Sequence, residues 1–150
     1  MIRTRLPVAA VLLAGLLAGC NVTDQYHQEY DDLGKKIVAD WKQLPEVVDA
    51  KYDYRHGLDV GQSIGLYAAI RMGSDSPAVV EKMVEIARRD YWESTASPTM
   101  GAGIYTADKL FDGPVKDTSI IRYNGQIKVE DDPEVAAALE KKYGPRPTKK

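Results

Sequence analysis

Cysteine is nearly absent from this chain, because Cys20 is the single one among 150 residues. One cysteine cannot form an intramolecular disulfide, and it cannot supply a set of thiolate ligands to a metal. Phenylalanine also occurs once, whereas tyrosine occurs nine times. Tyrosine suits half-buried positions, where the ring packs and the hydroxyl stays hydrated. We therefore expect a domain that is held together by its core rather than by covalent cross-links.

Long hydrophobic runs are also missing. The longest apolar stretch is Leu6–Leu17, which follows the basic residues Arg3 and Arg5 and precedes Ala18 and Gly19. A helix needs roughly 20 apolar residues to cross the hydrocarbon core of a membrane, so this stretch is short for a membrane span. A basic head, a short apolar run and a small-residue exit are typical of a secretory signal peptide.

The exit from this segment carries a sharper motif. Leu17-Ala18-Gly19-Cys20 resembles the lipobox of bacterial lipoproteins, an apolar residue and two small residues before a cysteine. The resemblance implies a diacylglyceryl group on the Cys20 sulfur, with a further N-acyl chain compatible with it, and cleavage between Gly19 and Cys20. Residues 1–19 would then be a removed signal peptide, and residues 20–23 a short lipidated tether. The alternative is an ordinary signal peptide that happens to end at a cysteine.

The chain has no excess of basic residues. Its 20 lysines and arginines face 22 acidic residues, for a formal net charge of −2, or −4 once Arg3 and Arg5 are removed. Nucleic-acid binders usually carry a basic face. We therefore expect no nucleic-acid partner, and no cofactor other than the covalent lipid.

Three segments have helical periodicity. Apolar residues recur at steps of three and four from Asp24 to Leu44 and predict a helix, with a bend or break favoured at Gly34. Ser76-Pro77 favours a helix start, and that helix is expected to end by Ser94. Asp132-Pro133 predicts the start of a third helix, which Gly144-Pro145 ends.

Other segments alternate between apolar and polar residues. Val47–Arg55 and Ser63–Met72 do so around a short glycine-containing link, which predicts an antiparallel hairpin. A further short strand is expected near Met100–Thr106. Asn124-Gly125 is the dipeptide that most favours a two-residue turn, so a second hairpin is predicted around it.

These elements predict one α+β domain over residues 24–145, with the helices on one face of an antiparallel sheet. The order helix, strand, strand, helix, strand and C-terminal helix is compatible with a ferredoxin-like arrangement. Residues 146–150 are expected to form a disordered tail.

The lipobox, the tyrosine-rich strand and the ending Tyr143-Gly144-Pro145-Arg146-Pro147 together resemble small actinobacterial lipoproteins of no assigned function. The resemblance implies an envelope protein, anchored at the extracytoplasmic face of the cell membrane, or at the outer membrane if the source has two membranes. It carries over no catalytic residue.

A few residues could carry chemistry. His56 with Asp53 or Asp59 would suit a small hydrolase or a metal-dependent enzyme, although a zinc site usually needs three or four protein ligands. Hydrated surface groups are the alternative for these three. Gly61-Gln62-Ser63-Ile64-Gly65 matches the G-x-S-x-G pattern of serine hydrolases, but the motif leads into a predicted strand, where the mechanism needs a strand-to-helix turn.

Four aromatic residues remain as weak binding candidates: Tyr67, Trp92, Tyr105 and Tyr123. A surface cluster of them would indicate a contact with a protein or a glycan of the envelope. Packing in the core or along a hairpin is the alternative. The expected function is that of a non-enzymatic binding or structural envelope lipoprotein, and the alternative is the small enzyme that uses His56.

Overall fold

The computed structural model describes residues 25–57, 61–74 and 77–148. The expected signal peptide, the lipobox and the tether lie outside these residues. Within the described ranges, no helix is both long and apolar enough to cross a membrane.

Three helices and four strands make up the described chain, and each of them except β4 matches a segment with the expected periodicity. In chain order they are α1 (Gln28–Lys42), β1 (Val47–Arg55), β2 (Ser63–Ile70), α2 (Pro77–Trp92), β3 (Thr99–Thr106), β4 (Ile121–Gln126) and α3 (Pro133–Tyr143), with a 3-10 turn at Thr118–Ile120. The α+β class, with helices packed against one sheet, is confirmed.

The sheet has the order β1-β2-β3-β4, and it is mixed rather than antiparallel. The hairpin β1–β2 is antiparallel as predicted, and β3–β4 is antiparallel too. The expectation of a wholly antiparallel sheet was wrong, because β2 and β3 pair in parallel from Ser63–Thr99 to Ile70–Thr106. Helix α2 returns the chain to the end of the sheet where β2 began, as a parallel pair requires.

The ferredoxin-like arrangement was wrong for the same reason. That fold is a split βαβ unit, in which another strand separates the two parallel strands. Here β2 and β3 are direct hydrogen-bonded neighbours.

The predicted hairpin turn at Asn124-Gly125 was also wrong. Both residues lie inside β4, where Asn124 pairs with Gly103 and Gly125 pairs with Ala102. A two-residue hairpin turn at Asn-Gly needs positive φ at both residues, and Gly125 does not have it. The Tyr123 ring lies beside Gly125, and its hydroxyl donates to the backbone oxygen of Gln126 at 2.8 Å. Cross-strand pairing and this contact outweigh the local turn preference.

One face of the sheet, which we call the inner face, packs against α1 and α2. Leu33, Ile37 and Trp41 of α1 are buried in the same core cluster as alternate residues of the two central strands. The Trp41 indole N–H donates to the backbone oxygen of Met83 in α2 at 2.8 Å, which ties the two helices together. The inner-face residues of β2 and β3 are Ile64, Leu66, Ala68, Ile70, Met100, Ala102 and Ile104.

Gly34 does not break α1, which runs without interruption from Gln28 to Lys42. Instead the Tyr52 ring of β1 lies directly against it, so a Cβ added at Gly34 would be 2.5 Å from Tyr52 Cδ2. This glycine lets the helix and the strand approach each other closely.

A buried carboxylate joins α1 to α2. Asp90 is 1% exposed, and its Oδ1 accepts from Lys36 at 2.6 Å and from two nitrogens of Arg89 at 2.7 and 2.9 Å. Asp40 of α1 completes the group by pairing with both cations. Burial raises the pKa of Asp90 above the usual aspartate value.

The C-terminal helix is fixed at both ends. Asp132 caps its N-terminus, as predicted, by accepting from the backbone N–H groups of Glu134 and Val135. Arg146 lies past its C-terminus, with its guanidinium carbon 4.6 Å from the centre of the Tyr91 ring and its Nε 3.2 Å from the Ser94 oxygen. Residue 146 thus packs against the domain, which differs from the disordered tail expected there.

Candidate functional site

Among the residues that the structure describes, no helix covers the opposite face of the sheet, which we call the outer face. Strand alternation and register place Lys51, Tyr67, Gly103 and Asn124 side by side across all four strands. A groove of about 600 Å³ lies over this row. Its further lining comes mainly from Asp53, Arg55, Tyr105, Phe111, Asp112, Gly113, Pro114, Val115, Ile121 and Tyr123.

Tyr67 forms the floor of the groove. A Cβ added at Gly65 would be 2.9 Å from the Tyr67 hydroxyl oxygen, and one added at Gly103 would be 3.4 Å from Tyr67 Cδ1. Opposite edges of the ring therefore rest over these two glycines, on its own strand and on the neighbouring one. Because neither glycine has a side chain, the ring can lie low on the sheet and leave space above it.

The connection between β3 and β4 forms one wall. The Phe111 ring packs on the Tyr105 ring, with centroids 5.1 Å apart and an angle of 33° between the planes. The Phe111 N–H donates to the Tyr105 hydroxyl at 2.7 Å, and Lys51 Nζ donates to the Phe111 oxygen at 2.7 Å. Burial raises the pKa of Tyr105, so its phenol stays neutral. These contacts hold the connection against the sheet.

Strand β1 supplies the opposite wall, where the charges are paired. Arg55 Nε donates to Asp53 Oδ2 at 2.6 Å, which raises the pKa of the guanidinium. Lys51 lies on the same side of the strand, two residues before Asp53. Of the residues that the structure describes, four charged side chains line the groove, two of each sign, Asp112 being the second anion.

The structure gathers some of the sequence candidates and separates others. Asp53, Tyr67, Tyr105 and Tyr123 all line the groove. Trp92 does not, because this residue is only 7% exposed in the core and its indole N–H donates to the Gly144 oxygen at 2.8 Å. For Trp92 the alternative, packing in the core, is the one observed, and Trp92 is not a candidate for surface binding.

His56 lies apart from the groove lining. Its ring packs 5.1 Å from the Tyr54 ring and 5.9 Å from the Tyr26 ring, measured between centroids. Asp53 is paired with Arg55 instead, and Asp59 lies outside the described residues. Among the residues that the structure describes, no group of three or more His, Cys, Asp or Glu could hold a metal ion.

Ser63 opens strand β2, pairing with Arg55 on one side and Thr99 on the other. The G-x-S-x-G match therefore enters a strand, as predicted, rather than the strand-to-helix turn of a nucleophile elbow.

Sequence reasoning missed several groove residues, above all Lys51, Gly103, Phe111 and Asn124. Phe111 lay between the segments with a regular pattern, and Asn124 lay in the predicted hairpin turn. One usable signal was present. In β3 the residues that alternate with the buried ones include Gly101 and Gly103. Glycines on one face of a strand often mark a place where another group approaches the backbone closely.

The chain matches no protein-family model, no curated protein and no solved structure.

Proposed function

We propose that the chain is a lipid-anchored envelope protein that binds a ligand in the outer-face groove and performs no chemistry on it. The groove is the observation that carries this proposal. It combines a tyrosine floor, a fixed aromatic wall and a few convergent polar groups, the usual composition of a small-ligand site. Its polar groups pair with each other, as Asp53 does with Arg55, an arrangement that suits recognition better than proton transfer.

The anchor rests on the lipobox Leu17-Ala18-Gly19-Cys20. A diacylglyceryl group supplies two chains, and two chains hold a protein stably where one binds only reversibly. Fully extended, the chain from Cys20 to Gln25 spans at most about 18 Å. The Gln25 oxygen accepts from Gln62 Nε2 at 3.2 Å, beside the end of β1 where Arg55 enters the groove. The ligand would then be bound close to the membrane surface.

Anchoring is tested by comparing the wild-type chain with Cys20→Ala in its native host. The wild type should sediment with membranes and should yield an N-terminal peptide that starts at an acylated Cys20. Cys20→Ala should carry no lipid. An unmodified Cys20 in the mature wild-type protein would refute the anchor.

Groove binding is tested by adding an envelope extract to the detergent-solubilised, isotope-labelled full chain and following its amide NMR signals. Shifts should concentrate on residues around Tyr67, Gly103 and Asn124. Asn124→Ala should weaken them, whereas Gln126→Ala, an exposed change on the same strand but outside the groove, should not. Shifts that avoid the groove, or no shifts at all, would refute the proposal.

A further inference from the structure

The charges of the described residues that line the groove cancel. Lys51 and Arg55 are balanced by Asp53 and Asp112, and the two cations are already engaged with the Phe111 oxygen and with Asp53. A site for an anion such as a phosphate would need a surplus of cationic donors, and a site for a cation would need the opposite. The lining therefore favours a ligand without net charge.

The groove also disfavours a wholly apolar ligand. Asn124 is exposed on β4, and Asp53 and Arg55 form the rim on β1. An alkyl chain laid across them would remove water from these groups and offer no hydrogen bonds in return, which costs free energy for each group left unpaired. The ligand must carry donors and acceptors of its own.

The Tyr67 ring gives the groove an aromatic surface in addition to its polar groups. It lies low over Gly65 and Gly103, as a broad aromatic surface below the polar rim. A pyranose ring matches both features, because its C–H groups pack on an aromatic surface while its hydroxyls point sideways to planar polar groups. Amide, carboxylate and guanidinium groups together offer both donors and acceptors to neighbouring hydroxyls.

We infer that the ligand of the outer-face groove is a neutral glycan, with one sugar stacked on Tyr67 and its hydroxyls bound by Asn124, Asp53 and Arg55. This inference rests on the proposed function. The volume of about 600 Å³ lies within the range of about 300–1,000 Å³ typical of small-ligand sites, which suits a short oligosaccharide.

The test is calorimetric titration of the lipidated full chain in a detergent without a sugar headgroup. The probes are maltotriose, cellotriose, mannotriose and triacetylchitotriose, with inorganic phosphate and hexanoate for comparison. At least one trisaccharide should bind saturably. Asn124→Ala should weaken that binding by about tenfold or more, and Tyr67→Ala should abolish it.

Two controls keep the result interpretable. Gln126→Ala should leave the affinity unchanged, and circular dichroism should show that Asn124→Ala folds even if Tyr67→Ala does not. If only phosphate or hexanoate binds, in a manner sensitive to Asn124, the groove is a binding site but the glycan inference is wrong. If no trisaccharide binds while the envelope extract still shifts the groove signals, the glycan inference again fails alone. If neither probes nor extract act on the groove, the proposed function fails as well.

Discussion

The Tyr52 ring occupies the space that a side chain at Gly34 would need, with Tyr52 Cδ2 only 2.5 Å from the position of an added Cβ. The contact sets the separation of α1 and β1. The same tyrosine also joins β1 to an ion pair on α1, because the Tyr52 hydroxyl donates to Asp31 at 2.7 Å and Lys35 pairs with the same carboxylate at 2.7 Å.

Gly34→Ala should lower the free energy of unfolding, although alanine is the better helix former. Overpacking against Tyr52 costs about 1–3 kcal/mol, while the gain in helix propensity returns about 1 kcal/mol. Urea denaturation measures the balance. Ala39→Gly, at an exposed position of the same helix, is the control and should lose about 1 kcal/mol from propensity alone. A Gly34→Ala protein that is more stable than the wild type would contradict the close contact.

Tyr52 should resist ionisation far into alkaline solution. Burial, followed by its hydrogen bond to the Asp31 carboxylate, raises its pKa to about 12. An absorbance titration should therefore show a late tyrosine transition that disappears in Tyr52→Phe. If Tyr52→Phe removes an ordinary tyrosine transition and leaves a late one in place, the burial and hydrogen bonding described for Tyr52 would be contradicted.

The same substitution should make stability less dependent on an ionised Asp31. Hydrogen bonds from Lys35, Tyr52 and Tyr26 hold the pKa of Asp31 below its usual value. A carboxyl group whose pKa is lower in the folded than in the unfolded state stabilises the fold at pH values above its unfolded pKa. This contribution is lost as the pH falls through the folded pKa. Tyr52→Phe should cost about 1 kcal/mol at neutral pH, since Asp31 is partly exposed. Denaturation at several pH values should show that cost shrinking in acid, whereas a constant cost would assign it to packing alone.

Removing both cations around Asp90 should produce a pH-dependent defect. Lys36→Met with Arg89→Met leaves a buried carboxylate without a counter-charge, which should cost about 3–5 kcal/mol at neutral pH. Burial already raises the pKa of Asp90, so the variant should regain stability as the pH falls through the folded pKa and Asp90 takes up a proton. Lys82→Met, at an exposed position of α2, is the control and should show neither effect. A defect that is equal at neutral and acid pH would contradict the ion-pair role.

The cap of α3 offers a simpler test. Asp132 Oδ1 accepts from the N–H groups of Glu134 at 3.2 Å and Val135 at 3.3 Å. Asp132→Ala should cost about 1 kcal/mol, whereas Asp132→Asn, which keeps an acceptor oxygen, should cost less. Thermal unfolding of the two variants compares them, and equal losses would mean that the side-chain acceptor does not matter.

Local patterns predicted the elements of this fold better than their arrangement. The alternation of Val47–Arg55 marked β1 to the residue, and Asp132-Pro133 marked the start of α3. The parallel pairing of β2 with β3 could not be read in this way, because a two-residue period is the same in either direction of pairing. The prediction of a hairpin turn at Asn124-Gly125 failed because the turn preference of this dipeptide is local, whereas cross-strand pairing with β3 decides its conformation.

The candidate site was harder to predict than the fold. Tyr67, Tyr105 and Tyr123 were singled out, but their convergence depends on which face α1 and α2 cover, and that is a tertiary property. Phe111 reaches the groove only because its connection folds back on Tyr105. His56, by contrast, directly follows the last residue of β1, and its ring packs with the rings of Tyr54 and Tyr26 rather than in the groove.

Native mass spectrometry of the wild-type protein, released from its own membrane in mild detergent, tests the central proposal most directly. One spectrum reports both the covalent state of the N-terminus and any ligand that remains bound. We expect a chain that begins at an acylated Cys20, in part carrying a non-covalent ligand whose occupancy falls in Asn124→Ala but not in Gln126→Ala. A mature chain with an unmodified Cys20, or a bound fraction that does not respond to Asn124→Ala, would contradict a membrane-anchored binding protein that uses this groove.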